Sequence, residues 1–534
     1  MSPDAHSDAN PILNLAVFLA FILITFVFVL RAGRTTSKTA AGFYTGDAGF
    51  TGRQNGLAIT GDALSAAAFL GVVGSISTFG YDGLLYSVGF FVPWIFSVLL
   101  TSEPLRNVGR FTVADMLAFR LKQKPVRVGA AVVTLVFSLF YLVAQMAGAG
   151  SLVAVLLDVH DRTAQALLVA AIGAVMTIYV LIGGMKGTTF IQMLKAVLLL
   201  GCVAVMGVII LTMVRGNVSE LLDLAVDAHG GDRGFLAPGA QFGESTLSRI
   251  DFVSLAITLL LGGAALPHVA MRFYTVPTAR AARSSAAWAV ALIGGFFLVT
   301  ILLGFAAAAY VGPEAIEAAP GGSNSAALLL AQELAGPIFM ALVSAIAFAT
   351  VLAVVAGLAI TAAASVARDF YNPVFRGGRA SGDEQVRVSR LVVVVLGVTS
   401  TALGIGAMDL NVAFLVALAF CVAGAANLPT ILFSLYWRRF TTTGAVASMS
   451  VGTAVTVLLI VFSPLVSGSE DSLFPGVDFA FFPLENPGIV AIPVGFAAAI
   501  IGTLVGPKED FRELQAEMEV RSLTGIGMAK PVAH

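Results

Sequence analysis

The sequence predicts an all-α integral membrane protein of about thirteen transmembrane helices, and three observations carry that expectation. Hydrophobic residues make up 58% of the 534 positions and charged residues 11%, with a mean hydropathy of +0.93, far from the composition of a water-soluble domain. Apolar runs of roughly 20 residues, the length a helix needs to cross the hydrocarbon, recur along the whole chain. Lys and Arg collect on alternate loops between those runs.

Taken in order, the first run spans 11–31. It follows Asp4, His6 and Asp8 rather than a basic segment, and basic residues come after it, so it reads as a retained helix and not a secretory signal. The next runs fall at 56–80, 84–102, 128–157, 164–184, 190–214 and 251–271. Six more follow at 285–311, 335–367, 390–407, 411–437, 444–463 and 488–506, leaving a tail over 507–534 too short for a soluble catalytic or signalling domain. The loops carrying Arg31, Lys38, Arg110, Arg127, Arg272, Arg283, Arg368, Arg390 and Arg439 alternate with loops carrying Asp158, Asp161, Glu220, Glu314, Glu317, Glu470 and Glu485. By the positive-inside rule this puts the N-terminus outside and the C-terminus in the cytoplasm of a cell (inner or plasma) membrane protein.

Other classes fit poorly. A net charge of −1 gives no reason to expect nucleic acid as a partner, and Cys202 and Cys421 sit inside predicted helices without metal-ligand neighbours, as packing residues do. No GxSxG, HExxH or P-loop pattern occurs, so neither an enzyme nor a cofactor is expected. Intramembrane charges are too few, and too irregularly placed, for the charged rings of a channel.

The helices starting at 56 and 251 each open a block of five, over 56–214 and 251–437, entering from opposite sides of the membrane. Helices 444–463 and 488–506 trail behind, and the whole chain forms one transmembrane domain. Such inverted blocks characterise secondary transporters whose leading helices are broken at mid-membrane, where freed backbone groups bind solute and ion. Gly56, Gly61, Asp62, Ser65, Gly71 and Gly74 mark a break in the first leading helix, and Gly262, Gly263, Pro267 and His268 in the second. Glycines also serve close helix packing, which is the competing reading.

The stretch GLAITGDALSAAAFLGVVGSISTFGYDGLLYSVGFF from Gly56 and LRNVGRFTVADMLAFRL from Leu105 resemble the acetate/monocarboxylate permease branch of the sodium:solute symporter family. FSLFYLVAQMAGAG from Phe137, GGMKGTTFIQMLKAVLLL from Gly183, LPHVAMRFYTV from Leu266 and FATVLAVVAGL from Phe348 agree with it, so the resemblance runs over roughly residues 50–440. It implies a LeuT-type 5+5 inverted repeat with one leading and two trailing helices. The implied activity is symport of acetate, propionate or pyruvate with sodium or a proton. Another small solute of the same family, or a transporter-like membrane sensor, are the alternatives.

Candidate substrate-binding residues are Gly61, Asp62, Ser65 and Phe69 at the first break, Gly262, Gly263 and His268 at the second, Tyr141 and Gln145 on the helix from 128, and Asn427 before Pro429. A carboxylate near the bilayer centre costs roughly 2.5–3.5 kcal/mol on insertion scales, so Asp62 is either a cation partner beside the substrate or a cap for loose amides at the break. His268 is either a proton-coupling group or a hydrogen-bonding strut. Ser138, Tyr141, Gln145 and Gly148 share one helix face, as a cavity lining or as interhelical glue. Ala63 to Leu70 offer only Ser65 among apolar side chains, which suits a small, largely apolar solute.

The family's sodium site implies the carbonyls of Gly61 and Leu64 together with Thr350, Ala353 and Val354. Here this chain departs from the pattern, because Ala353 and Val354 supply no side-chain oxygen where the family has paired hydroxyls. Sodium or a proton both remain open as the coupling ion. A cation is needed in any case: moving one carboxylate inward against an inside-negative potential costs roughly 2.3 kcal/mol per 100 mV.

Overall fold

The computed structural model describes residues 15–20, 23, 49–109, 112–182, 185–469, 472–474, 476–509 and 511–525. Residues 15–20 of the first run are helical, and the rest of that run lies almost entirely outside the described residues. Among the described residues from 49 onward there are eleven helices long and apolar enough to cross a membrane, and one bent pair, α1 (Gly52–Ala63) and α2 (Ala67–Phe79), that makes a twelfth span. They continue as α3 (Leu84–Val108), α4 (Gln123–Leu157), α5 (Arg162–Ile182), α6 (Met185–Met213), α7 (Thr246–Thr275, itself interrupted) and α8 (Ala279–Tyr310). Then come α9 (Gly322–Phe375), α10 (Gly382–Gly406), α11 (Val412–Tyr436), α12 (Thr442–Val461) and α13 (Gly488–Val505). Among the described residues the only β pairing is one isolated bridge, Ser467 with Phe474.

Because lipid cannot hydrogen-bond the backbone, these helices satisfy their own amides and leave apolar side chains to face the bilayer, as at Leu298, Val398 and Leu391, all more than 60% exposed. Burial sorts scaffold from core. The most apolar window of α11 is 94% buried and that of α9 83%, whereas that of α10 is only 22% buried. α9 and α11 therefore run through the middle of the bundle, while α10 braces it from the lipid side.

α9 begins earlier than the sequence suggested. It runs from Gly322 and is kinked where Gly336 takes φ +81° just before Pro337, which lacks the amide needed to carry the hydrogen-bond ladder through. α11 stays helical through Asn427. It passes through one widened turn at Ala423–Asn427, and the Asn427 side chain donates to the Ala265 carbonyl at 3.3 Å.

Basic loops distant in sequence meet at one end of the bundle. Arg127 donates to Asp369 at 2.6 Å and to Asp115 at 2.8 Å, and Arg368 reaches Asp115 at 3.2 Å. A short helix, α14 (Arg512–Thr524), folds the C-terminal tail against the same region through Arg438 and Glu519 at 2.8 Å and the Asn107 amide on Ser522 at 2.8 Å. At the other end Asp82 accepts the backbone amides of Gly239, Gln241 and Phe242 at 2.8–3.2 Å, fastening the α6–α7 loop over the α2–α3 turn.

Candidate functional site

The first leading helix breaks between Ala63 and Ala67, and its halves meet at 64°. Leu64 leaves the helical region at ψ 85°. In an unbroken helix the Leu64 carbonyl would accept from the Ala68 amide. That amide instead donates to the Ser65 hydroxyl at 3.3 Å, a side-chain cap that starts α2 and releases the Leu64 oxygen. The glycines of this segment answer to packing: a Cβ at Gly61 would lie 2.2 Å from the Gln192 carbonyl on α6, and one at Gly71 2.5 Å from the Ala413 amide on α11.

α7 breaks at the matching place. A tight turn over Gly263–Ala265 ends at Leu266 in extended backbone, and Pro267 restarts the helix in the position where its missing N–H costs nothing. Between the two breaks lies a cavity of ≈ 20 Å³, room for about one water by the measure of roughly 10–15 Å³ per water centre. Asp62, Ser65, Tyr141, Gly263 and His268 line it, together with the apolar surfaces of Trp94 and Phe420.

His268 is 6% exposed and lies between two aromatic rings, stacked on Phe137 at 5.6 Å and edge-on to Tyr141 at 5.7 Å. Its Nδ1 has no partner. Five of the ten proposed substrate residues thus surround one space, and the other five lie outside its lining. Gly61 and Gly262 are helix contacts, the latter beneath the Phe420 carbonyl, and Phe69 is packed in the core. Gln145 is wholly buried with neither amide atom bonded, and Asn427 bridges to the second break. On the α4 stripe, a Cβ at Gly148 would meet the Ala66 methyl at 3.0 Å, so that face is turned toward the first break.

Charge is concentrated just below the cavity, and here the structure corrects the loop assignment of Arg272. It belongs to α7, is 3% exposed, and clasps Asp62 with two nitrogens, Nε and Nη2, the latter at 3.2 Å from Oδ1. Its third nitrogen donates to the Thr189 hydroxyl at 2.7 Å. Asp62 is therefore one half of a buried bidentate ion pair joining the two broken helices. Arg280 and Arg283, placed on the same loop, instead lie in the first turns of α8.

Three of the five positions matched to an ion site, Leu64, Thr350 and Ala353, are tied to side chains of α6. Lys195 Nζ donates to the Thr350 carbonyl at 3.1 Å and the Leu64 carbonyl at 3.4 Å, and Gln192 Nε2 donates to the Ala353 carbonyl at 2.9 Å. The Thr350 hydroxyl is turned back to the Ile346 carbonyl at 2.9 Å, within its own helix. Sequence reasoning missed Thr189, Gln192, Lys195 and the inward role of Arg272. A lysine in the middle of a 29-residue apolar helix was the available signal, since an intramembrane ionisable group needs a partner or a task.

Two interrupted helices meeting at a small enclosed cavity, inside a bundle of LeuT-type fold, define a multi-pass membrane transporter. The chain belongs to the sodium:solute symporter family, whose model matches residues 43–452. It is 59% identical to the monocarboxylic acid transporter of Corynebacterium glutamicum over 100% of this chain and 99% of that one. It is 43% identical to the uncharacterised symporter YwcA of Bacillus subtilis over 96% and 98% of the two chains. Among solved structures, a Na+-coupled sialic acid symporter superposes with a TM-score of 0.69 at 16% identity, covering 93% of this chain and 98% of that one. MhsT in complex with L-phenylalanine gives 0.52 at 15% identity, covering 88% and 99%. At such identities these two speak for the fold alone.

Proposed function

We propose that this transporter carries a short-chain monocarboxylate, acetate, propionate or pyruvate, into the cell together with a cation by alternating access. The observation that carries the reading is the cavity itself. It is small and mostly apolar, and its polar groups are few: the Ser65 and Tyr141 hydroxyls, the His268 ring and an Asp62 carboxylate already neutralised by Arg272. A sugar would leave many hydroxyls unpaired there, each at a cost of roughly 1–3 kcal/mol, whereas an acetate-sized solute needs one polar end satisfied. The N-terminus of α2 lies at this wall, where Ser65 and Ala68 line the cavity, and a helix N-terminus favours a carboxylate. The name of the Corynebacterium relative supports the same substrate class.

The gathering of Arg127, Arg368 and Arg438 at one end supports a cytoplasmic C-terminus in the plasma membrane. Uptake of radiolabelled acetate into proteoliposomes, corrected with protein-free vesicles, tests the reading. Saturable uptake is expected, competed by propionate and pyruvate and not by glucose. Strong competition by glucose would overturn the monocarboxylate assignment, and downhill flux without accumulation would make the protein a channel.

A further inference from the structure

We propose that α14 is a strap across the cytoplasmic seam of this transporter: its last turn holds the inner side shut, and it leaves α3 each time solute is released into the cell. The inference rests on the alternating-access reading above and adds to it a control element made by the chain's own tail.

The seam follows from the cavity. One wall comes from α1, α7 and α3, through Asp62, His268 and Trp94, and the facing wall from α4 and α11, through Tyr141 and Phe420. Each wall is fastened within itself toward the basic end of the bundle. On the first side Arg106, near the end of α3, donates from Nε to the Val276 carbonyl at 2.6 Å and from Nη2 to the Pro277 carbonyl at 3.0 Å, just past α7. The Asn55 amide of α1 donates to the Arg272 carbonyl of α7 at 3.0 Å. On the second side Arg120 Nη2, just ahead of α4, donates to the Phe440 carbonyl at 2.8 Å, and the Lys122 amide donates to the Thr442 hydroxyl at 3.1 Å. The start of α4 is thereby tied to the α11–α12 connection. A solute in the cavity reaches this end of the bundle only when the two walls part there, as rocking of one bundle against the other requires.

The tail lies over that seam with a foot on each side. Beyond α13, Glu509 joins the α4 side, accepting from the Thr442 amide at 2.7 Å and pairing with Lys122 at 3.1 Å. Glu519 of α14 then takes two nitrogens of Arg438, Nε at 2.8 Å and Nη2 at 3.0 Å. The last turn crosses to α3. There Asn107 Nδ2 donates to the Ser522 carbonyl at 2.8 Å, and Arg521 Nε donates to the Asn107 carbonyl at 3.2 Å. Gln515, Met518 and Arg521 recur at every third position as the seated face of α14, each 6% exposed or less.

These contacts are of a kind that opens and closes. The printed hydrogen bonds to α3 are both made by one residue, Asn107, and the ion pairs on the other side are at the surface, with the Arg438 side chain 78% and that of Lys122 63% exposed. Beneath the strap Arg120 is 1% exposed, and its Nε and Nη1 make no hydrogen bond. Burial pushes its guanidinium down to about 10, while the tail carboxylates Glu519 and Glu509 pull the other way. The tail therefore also supplies counter-charge to the residue that fastens α4 to the α11–α12 connection, so both walls feel its departure.

The test uses the full-length protein in membrane vesicles with the cytoplasmic face outward, and needs no substrate. Ser138 lies on α4, one turn from Tyr141 toward Arg127, and is fully buried. A cysteine placed there reacts with a membrane-impermeant maleimide only while the inner side is open. Arg521→Ala removes one hydrogen bond of the strap, and in the Ser138→Cys protein it should raise the labelling rate by roughly threefold or more. Protein carrying only the buried Cys202 and Cys421 gives the background. A second protein, Asn107→Cys with Ser522→Cys, reads the same contact in reverse in proteoliposomes with radiolabelled pyruvate. Joining its two thiols with a short bifunctional methanethiosulfonate should cut uptake by roughly tenfold or more, and dithiothreitol should restore it; a tail that serves stability alone would leave uptake as it was. An unchanged or lower labelling rate in Arg521→Ala, or full uptake by the cross-linked protein, would each overturn the proposal. If the parent protein takes up neither pyruvate, acetate nor propionate, the substrate assignment falls and the labelling rate alone decides on the strap. Should Arg521→Ala fail to fold, the cross-linking comparison decides.

Discussion

Replacing Asp62 by Asn removes one charge from the buried pair that ties the first broken helix to the second. At 3.2 Å between Arg272 Nη2 and Asp62 Oδ1, and with an effective dielectric constant of about 20, the attraction is roughly 5 kcal/mol. Withdrawing two ions from water costs several kcal/mol each, so the intact pair is close to neutral in net stability. Losing one partner is different, because the Arg272 guanidinium is 3% exposed and keeps only the Thr189 hydroxyl and the weaker Asn acceptor. The expected cost of Asp62→Asn is about 3–5 kcal/mol, a drop of roughly two to four powers of ten in the folded-to-unfolded ratio. Arg272→Gln should cost a similar amount by stranding the carboxylate, while the double variant, with neither half of the pair left charged, should recover most of it. Thermal unfolding in detergent followed by size-exclusion fluorescence, run on all four proteins as a cycle, measures this. An Asp62→Asn protein as stable as its parent, or a double variant no better than the worse single one, would refute the claim that the pair holds the two breaks together.

Two further outcomes follow from packing and capping. Gly61→Ala places a methyl 2.2 Å from the Gln192 carbonyl, and should destabilise by about 1–3 kcal/mol or more and abolish uptake; Gly201→Ala, with open space around it, should do neither in the same thermal and transport assays. Asp82→Asn replaces one of the two oxygens that together receive the amides of Gly239, Gln241 and Phe242. It should cost about 1–3 kcal/mol and speed hydrogen exchange at those three amides, and unchanged exchange would show that the loop is held some other way.

Much of this molecule was written in the order of its residues, because the bilayer demands long apolar helices and tolerates breaks only where something else serves the freed backbone. The twelve spans from Gly52 on, the interruptions at Leu64 and Leu266, the place of Asp62, Ser65, Tyr141, Gly263 and His268 beside a cavity, and the family itself were all legible there. Partners across the bundle were not. Arg272 stands 210 residues from Asp62, and Lys195 stands 131 from Leu64 and 155 from Thr350. A largely apolar helix such as α6 carries no stripe that says which way Lys195 points. Only the packing of three helices against each other, set by the close approach of Gln192 to Gly61, turned that lysine inward onto the carbonyls freed by the first break.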